Sequence, residues 1–355
     1  MTSFAIQSFG CRVNQAEAFS WTERLQQHGL HYEENPARSD LVLINTCTLT
    51  SRADRDVRSY IRRISRINSG ALLALTGCYV DSGMEGLDRN GRIWGIYRNN
   101  EKDRLVEDLI HDFGTADPVE VVPFRSRALI KIQDGCSLNC SFCIIPSVRG
   151  PARSAAPEEI IRKFKEYAGK GFNEIVFTGI HICQYGRDFE PRKFLLGLLQ
   201  SLDGVNPGVG IRLSSLDPRF MDQALLEYLT TAEMIRPHFH LSLQHGSKAI
   251  LQQMGRHIDP REYRRIIGFL AENRPESALG ADIITGFPGE SDEDFAEMEH
   301  LLEELPLTYL HVFSFSSRPG TKAAGLKEVD SRVVRERTDR LRRLSQRKNR
   351  EFRSR

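Results

Sequence analysis

Apolar residues gather along the chain in short runs separated by longer amphipathic stretches. Phe4–Phe9 is one such run, Leu41–Ile44 a second, Ala71–Leu75 a third and Ile93–Ile96 a weaker fourth. Runs of that length predict short, buried strands. Between the first two, Phe19, Trp21 and Leu25 sit among the apolar positions of a helical pattern. They predict a helix from a cap at Asn14 to about His28, closed by Gly29. Another helix is predicted over 52–67, with arginines on its outer face. From residue 127 the alternation resumes. Strands are predicted near 127–133, 174–178, 211–215, 238–243, 280–284 and 309–315. Helices are predicted near 157–169, 192–202, 219–230, 260–273 and 291–304.

Repeated strand-then-helix order makes a parallel sheet with helices on both faces. Residues 1–114 are therefore expected as a small doubly wound, flavodoxin-like domain. Residues 115–126, with Pro118 and Pro123, are expected as a linker. Residues 127–330 would form a second α/β domain of six strand–helix units. Residues 331–355 would form a basic C-terminal helix. A length of 355 residues agrees with two domains.

Composition narrows the class. No run of about eighteen apolar residues occurs, so no transmembrane helix is expected. The N-terminus lacks the basic-then-apolar pattern of a secretory signal. A cytoplasmic chain is expected, and its seven cysteines are then ligands or thiols rather than disulfides. Net charge is only +2, but residues 331–355 carry eleven Arg/Lys against three Asp/Glu, which leaves the rest near −6. A basic segment on an acidic body is a candidate nucleic-acid contact, or else a solvated helix face. Its arginines Arg342, Arg343, Arg347 and Arg350 are the candidate RNA contacts. Neither a phosphate-binding P-loop nor a nucleophile elbow is present.

The cysteines carry the chemistry. Cys136, Cys140 and Cys143 have the spacing C-x3-C-x2-C within Gly135–Cys143, directly after a predicted strand. A structural zinc normally takes four closed ligands, and no histidine or fourth cysteine lies in this loop. Three thiolates on a [4Fe–4S] cube leave one iron open to a small molecule. A second triad is dispersed. Cys11, Cys47 and Cys78 each follow one of the first three strands. In a parallel sheet those strand ends share one edge, so the thiols converge across more than sixty residues and suit a second cluster. His181, His238, His240 and His245 have no partner at metal-ligand spacing and are expected as structural or solvent-facing. Cys183 is expected as a lone thiol.

The Cys136–Cys140–Cys143 loop, with aromatic Phe142 before its third cysteine, resembles that of the radical S-adenosylmethionine (SAM) enzymes. The resemblance implies an open, partial (β/α)6 barrel. It also implies that the open iron chelates the amine and carboxylate of SAM, and that one electron then cleaves SAM to a 5′-deoxyadenosyl radical. SAM contacts are implied at Phe142, Thr178, Gly179, Ser214, Ser215 and Gln244. A glycine-rich turn follows at Gly286–Glu290.

Two cysteine triads in this order resemble the methylthiotransferase subgroup, almost end to end. That implies two [4Fe–4S] clusters, the N-terminal one carrying sulfur on Cys11, Cys47 and Cys78. It also implies a tRNA substrate, a reducing partner such as a flavodoxin or ferredoxin, and an unidentified sulfur donor. Gly10-Cys11-Arg12-Val13-Asn14-Gln15 is similar to the Gly-Cys-Lys-Val-Asn-Gln of the branch acting at carbon 2 of N6-threonylcarbamoyladenosine (t6A) beside the anticodon. Thr178–His181 and Phe315–Thr321 are similar to that branch as well. His245, Cys183 and Ala155 depart from the family's usual residues. The alternatives are action on isopentenyladenosine tRNA or on a ribosomal-protein aspartate, or a non-catalytic zinc- and RNA-binding protein. The family's C-terminal RNA-binding β-barrel is expected to be missing. Either the sequence is a piece of a longer chain, or RNA binding rests on the tail and barrel.

Overall fold

The computed structural model describes residues 2–84, 92–118, 126–205 and 208–354. Most of the expected linker, residues 119–125, lies outside the described residues. The chain divides into two compact units, Met1–Lys131 with Ile144–Pro151, and Ile132–Cys143 with Ala152–Arg355. The residues just before and just after the cysteine loop thus group with the N-terminal unit.

In the first unit, strands β1 (Ser3–Ser8), β2 (His31–Tyr32), β3 (Leu41–Thr46), β4 (Leu72–Gly77) and β5 (Ile93–Tyr97) form one sheet in the order β2-β1-β3-β4-β5. Every pairing is parallel. That order is the flavodoxin-like one. Helices α1 (Arg12–Gln27), α2 (Ser51–Ile67), α3 (Cys78–Asp81) and α4 (Lys102–Phe113) connect or follow the strands. Strand β6 (Ala128–Lys131) and helix α5 (Ile145–Arg149) complete the unit.

The continuous run in β3 explains the two-layered cover. Successive strand side chains point to opposite faces. Leu41 and Leu43 pack with Trp21, Leu25, Leu105 and Leu109, from α1 and α4. Val42 and Ile44 pack with Val57, Ile61 and Ile64, from α2. All four β3 residues are fully buried. Each such side chain contributes about 1.5–3 kcal/mol relative to exposure.

Helix α1 begins two residues before the expected cap. Cys11 is its N-cap, and Asn14 lies inside with its side chain buried. Its Nδ2 donates to the carbonyls of Phe9 (2.8 Å) and Thr46 (2.9 Å). Asn14 therefore ties together the loops after β1 and β3, a tertiary role that outweighs its capping preference. Helix α2 does have a side-chain cap, the Ala53 N–H donating to Thr50 Oγ1 at 3.1 Å.

The second unit contains β7 (Gln133–Asp134), paired antiparallel with β8 (Arg153–Ser154). Helix α6 (Pro157–Gly169) leads to β9 (Glu174–Thr178), and α7 (Leu195–Asp203) to β10 (Gly210–Leu213), which pairs with β9 in parallel. Helix α8 (Gln223–Thr231) precedes β11 (His238–Gln244). Helices α9 (Lys248–Gln253) and α10 (Pro260–Asn273) precede β12 (Ala278–Thr285). Helix α11 (Asp292–Glu304) precedes β13 (Tyr309–Ser314). Strands β11, β12 and β13 form a parallel sheet in that order. A parallel bridge at Leu216 and Leu241 connects the exit of β10 to β11. Strands stand at all six positions anticipated from the apolar pattern, β6 grouped with the first unit and the other five with the second, so the α/β class and the partial-barrel order hold. Helix α8 starts later than expected because Asp222, not residue 219, is its cap, accepting from Leu225 N–H.

Helix α12 (Ser331–Arg353) closes the unit, with Leu341 and Leu344 buried. Arg337 is buried too, at 2.5 Å from Glu290 and 2.6 Å from Asp292. Losing Arg337 would break the buried pair and leave the Glu290 carboxylate to His245 and the Gly286 N–H alone, at a cost of about 3–5 kcal/mol. Lys348 Nζ donates to the carbonyls of Glu303 and Leu305. Arg340 pairs with Glu299 and Arg347 with Glu303. The basic tail is thus docked along α11 on its acidic side.

Candidate functional site

The first unit brings three thiols to one sheet edge. Cys11 follows β1, Cys47 follows β3, and Cys78 opens α3 directly after β4. Gly10 has φ +80°, and a Cβ there would lie 2.3 Å from Cys47 Sγ. Only glycine lets the loop after β1 approach that thiol so closely. Burial raises the Cys11 thiol, with Arg149 pulling it back, and pushes the Cys47 thiol up to about 12. Cys47 and Cys78 are buried and Cys11 half-buried, and no disulfide joins them.

A charged cluster surrounds this edge. Glu17 is buried and contacts Lys102 at 2.6 Å, Lys131 at 2.9 Å and Arg149 at 3.3 Å. Arg149 also donates to Asn14 Oδ1 at 2.5 Å, and its Nε donates to Cys78 Sγ at 3.3 Å. Asn45 donates to Glu17 at 2.9 Å. Burial works against ionising Glu17, but the three cations outweigh it and hold the carboxyl well below its usual range. Three cations face Glu17, with Asp81 also near Lys102, so the edge carries more cations than carboxylates. Such a setting works against the burial that raises the Cys11 and Cys47 thiols, though burial prevails in the cysteines as they stand. It fits an anionic, thiolate-held group better than neutral buried cysteines, which need no cation. No sequence pattern marked Glu17, Lys102 or Arg149, which are up to 132 residues apart.

The second unit holds the compact triad. The loop carrying Cys136, Cys140 and Cys143 is fixed by Ser141. Its N–H donates to Met254 O (3.0 Å), its Oγ donates to Gln253 O (2.8 Å), and its carbonyl accepts from Ala323 N–H (2.8 Å). Phe142 packs in an apolar cluster with Ile250, Met254, Phe287 and Ala323. Burial raises the Cys136 thiol.

The other anticipated residues cluster at the ends of β9, β10 and β11. Thr178 and Ser214 are buried, and their hydroxyls have no hydrogen-bond partner. Two unpartnered buried hydroxyls at adjacent strand ends fit a polar small molecule that would satisfy them. A Cβ on Gly179 would lie 2.9 Å from the carbonyl and side-chain oxygens of Gln133, so the chain can pass there only as glycine. Gln244 has φ +80°, a conformation that strains a residue with a Cβ and is found at functional sites. Ser215 is exposed and bonds His240 Nδ1 at 2.8 Å.

Asp217, in the segment after β10, is bound to His181 (3.0 Å), Arg219 (2.6 Å) and Arg256 (3.2 Å). Burial opposes its charge, but His181 and the two arginines hold it far below the usual carboxylate range. Cys183 is buried, accepts the Asp217 N–H at 3.3 Å, and has its thiol pushed up to about 12 by burial. His245 is buried against Glu290 at 3.3 Å. In α12, Arg342, Arg343, Arg347 and Arg350 are all exposed. Arg342 has a long contact of 3.8 Å to Asp339, and Arg347 pairs with Glu303.

Residues 130–302 match the radical SAM superfamily, and residues 3–93 match the uncharacterized protein family UPF0004. The chain is 37% identical to the threonylcarbamoyladenosine tRNA methylthiotransferase MtaB of Aquifex aeolicus (strain VF5), over 98% of this chain and 89% of that protein. It is 34% identical to the protein of the same name from Bacillus subtilis (strain 168), over 100% of this chain and 82% of that one. Among solved structures it resembles the radical SAM methyltransferase TsrM of Kitasatospora setae. The TM-score is 0.64 at 14% identity, covering 91% of this chain and 74% of that one, a likeness of fold. No helix among the described residues is long and apolar enough to cross a membrane.

Proposed function

The chain belongs to the radical SAM methylthiotransferases, in their threonylcarbamoyladenosine tRNA branch, and from this we propose that it places a methylthio group on carbon 2 of t6A in tRNA. The observation that carries this reading is the near full-length similarity to proteins of that name, in a chain that keeps a cysteine triad in each unit.

The radical SAM domain implies a [4Fe–4S] cluster and SAM. In our reading Cys136, Cys140 and Cys143 hold that cluster, and Cys11, Cys47 and Cys78 hold an auxiliary one. When bound, these groups supply the electron, the hydrogen-abstracting radical, the sulfur and the methyl group. The chain's own residues bind and orient. Ser141 fixes the loop that presents the three thiolates. Thr178 and Ser214 offer their unpartnered hydroxyls to SAM, and Ser215 and Gln244 offer polar groups beside them. Gly179 keeps the strand end clear of a side chain. Phe142 anchors the loop through its apolar packing. Arg149 directs an N–H at the Cys78 sulfur and orients it.

The deciding measurement is mass analysis of tRNA nucleosides from cells with and without this protein. The expected result is loss of 2-methylthio-t6A with its unmethylthiolated precursor retained. Loss of methylthio-isopentenyladenosine, or of a methylthiolated ribosomal aspartate, would move the chain to another branch.

The tail is proposed to contribute affinity for tRNA without selecting the modified base, since phosphate contacts position a nucleic acid but do not read it. Replacing Arg342, Arg343, Arg347 and Arg350 with Gln is expected to weaken tRNA binding and flatten the slope of log affinity against log salt. Each lost contact with unpaired RNA is worth about 0.7 of that slope. Arg343 and Arg350 should dominate, because Arg347 already faces Glu303. Titrations across a salt series check this. An unchanged slope would leave the arginines as solvating groups.

A further inference from the structure

Strands β11, β12 and β13 bring His240, Asp282 and His311 together. Asp282 lies opposite His311 in the β12–β13 register, and His240 lies opposite Gly280, two residues before Asp282. Positions two apart share a face, so all three side chains rise from one face of the sheet. One nitrogen of each histidine and one oxygen of Asp282 lie within 4.8 Å of one another. Asp282 Oδ1 is 3.3 Å from His240 Nε2 and 3.4 Å from His311 Nδ1. We propose that His240, Asp282 and His311, residues of neither cysteine triad, form a binding site for a divalent transition ion of the zinc class.

Geometry separates this from a simple hydrogen-bonded network. Charge-assisted N–H···O bonds are about 2.7–2.9 Å long, and both contacts to Asp282 are longer. Ligand atoms about 2.0–2.2 Å from one tetrahedral ion are about 3.3–3.6 Å from each other. The two contacts to Asp282 match that edge, and the two imidazole nitrogens, within 4.8 Å of each other, would close toward it on binding. His240 supplies a second, independent observation. It is only 6% exposed, and its Nε2 has no hydrogen-bond partner in spite of Asp282 beside it. A buried imidazole nitrogen held 3.3 Å from a carboxylate, close enough to lower that carboxyl's pKa yet outside good hydrogen-bond geometry, is an arrangement an ion would satisfy.

The surroundings are those of a metal-ligating histidine. His240 Nδ1 is 2.8 Å from Ser215 Oγ. With the proton on Nδ1 and donated to that hydroxyl, Nε2 presents its lone pair to the ion, the usual way an outer partner fixes the tautomer. The Tyr309 ring stacks on His240, with centroids 5.9 Å apart and planes at 16°, and restricts its tilt. Two imidazoles and one carboxylate suit zinc, iron(II) or cobalt(II) better than calcium or magnesium. Three protein ligands leave a coordination position open. The His311 side chain is 55% exposed, so an open position on that side would admit water or a carboxylate-type oxygen.

The test uses the full chain with both clusters reconstituted anaerobically, given one equivalent of Zn(II) and desalted. Zinc K-edge absorption reports on zinc without interference from iron. One retained zinc per chain is expected, with nitrogen and oxygen neighbours at about 2.0–2.1 Å and no sulfur shell near 2.3 Å. Asp282→Asn and His311→Gln should each weaken zinc retention at least tenfold in equilibrium dialysis. Zinc should raise the thermal midpoint of the parent but not of His311→Gln. Because His311 is exposed, that variant should fold even where a His240 variant does not. A sulfur shell, failure of the parent to retain zinc at micromolar free concentration, or equal retention by both variants would overturn the site. None of these readouts depends on which nucleoside is modified.

Discussion

Replacing any one of Cys136, Cys140 or Cys143 with alanine is expected to abolish reductive cleavage of SAM. The predicted loss in 5′-deoxyadenosine formation is on the order of a thousandfold or more, about 4 kcal/mol of barrier. The fold should survive, because the loop does not depend on its sulfurs for shape. Ser141 ties it to Gln253, Met254 and Ala323 through three hydrogen bonds, and Phe142 anchors it in an apolar cluster. What is lost is the protein ligand of one iron, and with it the integrity of the cluster whose open iron would chelate SAM. Each variant would be reconstituted anaerobically, reduced, and assayed for 5′-deoxyadenosine, with circular dichroism as the control for folding. Full cleavage by any one of the three would refute the assignment of this loop.

Alanine at Cys11, Cys47 or Cys78 is expected to separate cleavage from product. These thiols belong to the first unit, and the compact triad belongs to the second. Removing one should leave 5′-deoxyadenosine formation intact while methylthiolated nucleoside disappears. Iron content should fall by about one cube per chain. Cys47 and Cys78 are only 3% and 2% exposed, so each substitution also leaves a small void, at about 1 kcal/mol. That is too little to account for complete loss of product. Arg149 offers a graded companion. Arg149→Met removes the N–H aimed at Cys78 and one of the three cations on Glu17, so it should load iron less completely than the parent without eliminating the site. Retention of both the iron and the methylthio product in the alanine variants would refute the auxiliary site.

Much of this protein could be read from its sequence for local reasons. Leu41–Ile44 is apolar at every position because a parallel strand covered on both faces has no solvent side. The compact triad is visible because its spacing is local. The dispersed triad is visible because parallel strands align their C-terminal ends, so equivalent loops share an edge wherever they fall in the sequence. Helix α2 is legible from its apolar spacing, and Leu341 and Leu344 mark the packed side of α12.

Other features have no local signal, and only the tertiary structure decided them. Asn14 looks like a helix cap because its residue type favours one, but the part-buried carbonyl of Phe9 and the buried carbonyl of Thr46 took its side chain as their donor. Nothing near Arg149 in sequence announces Glu17 or Cys78 as its partners. Arg347 reads as a phosphate contact until α11 presents Glu303. His240 reads as structural because its companions, Asp282 and His311, come from two other strands. Apolar periodicity along the chain is enough to make a strand and to set the face each side chain takes. Which residues then stand opposite one another depends on strand register, and register is set by packing of the whole sheet and its helices, not by any one segment.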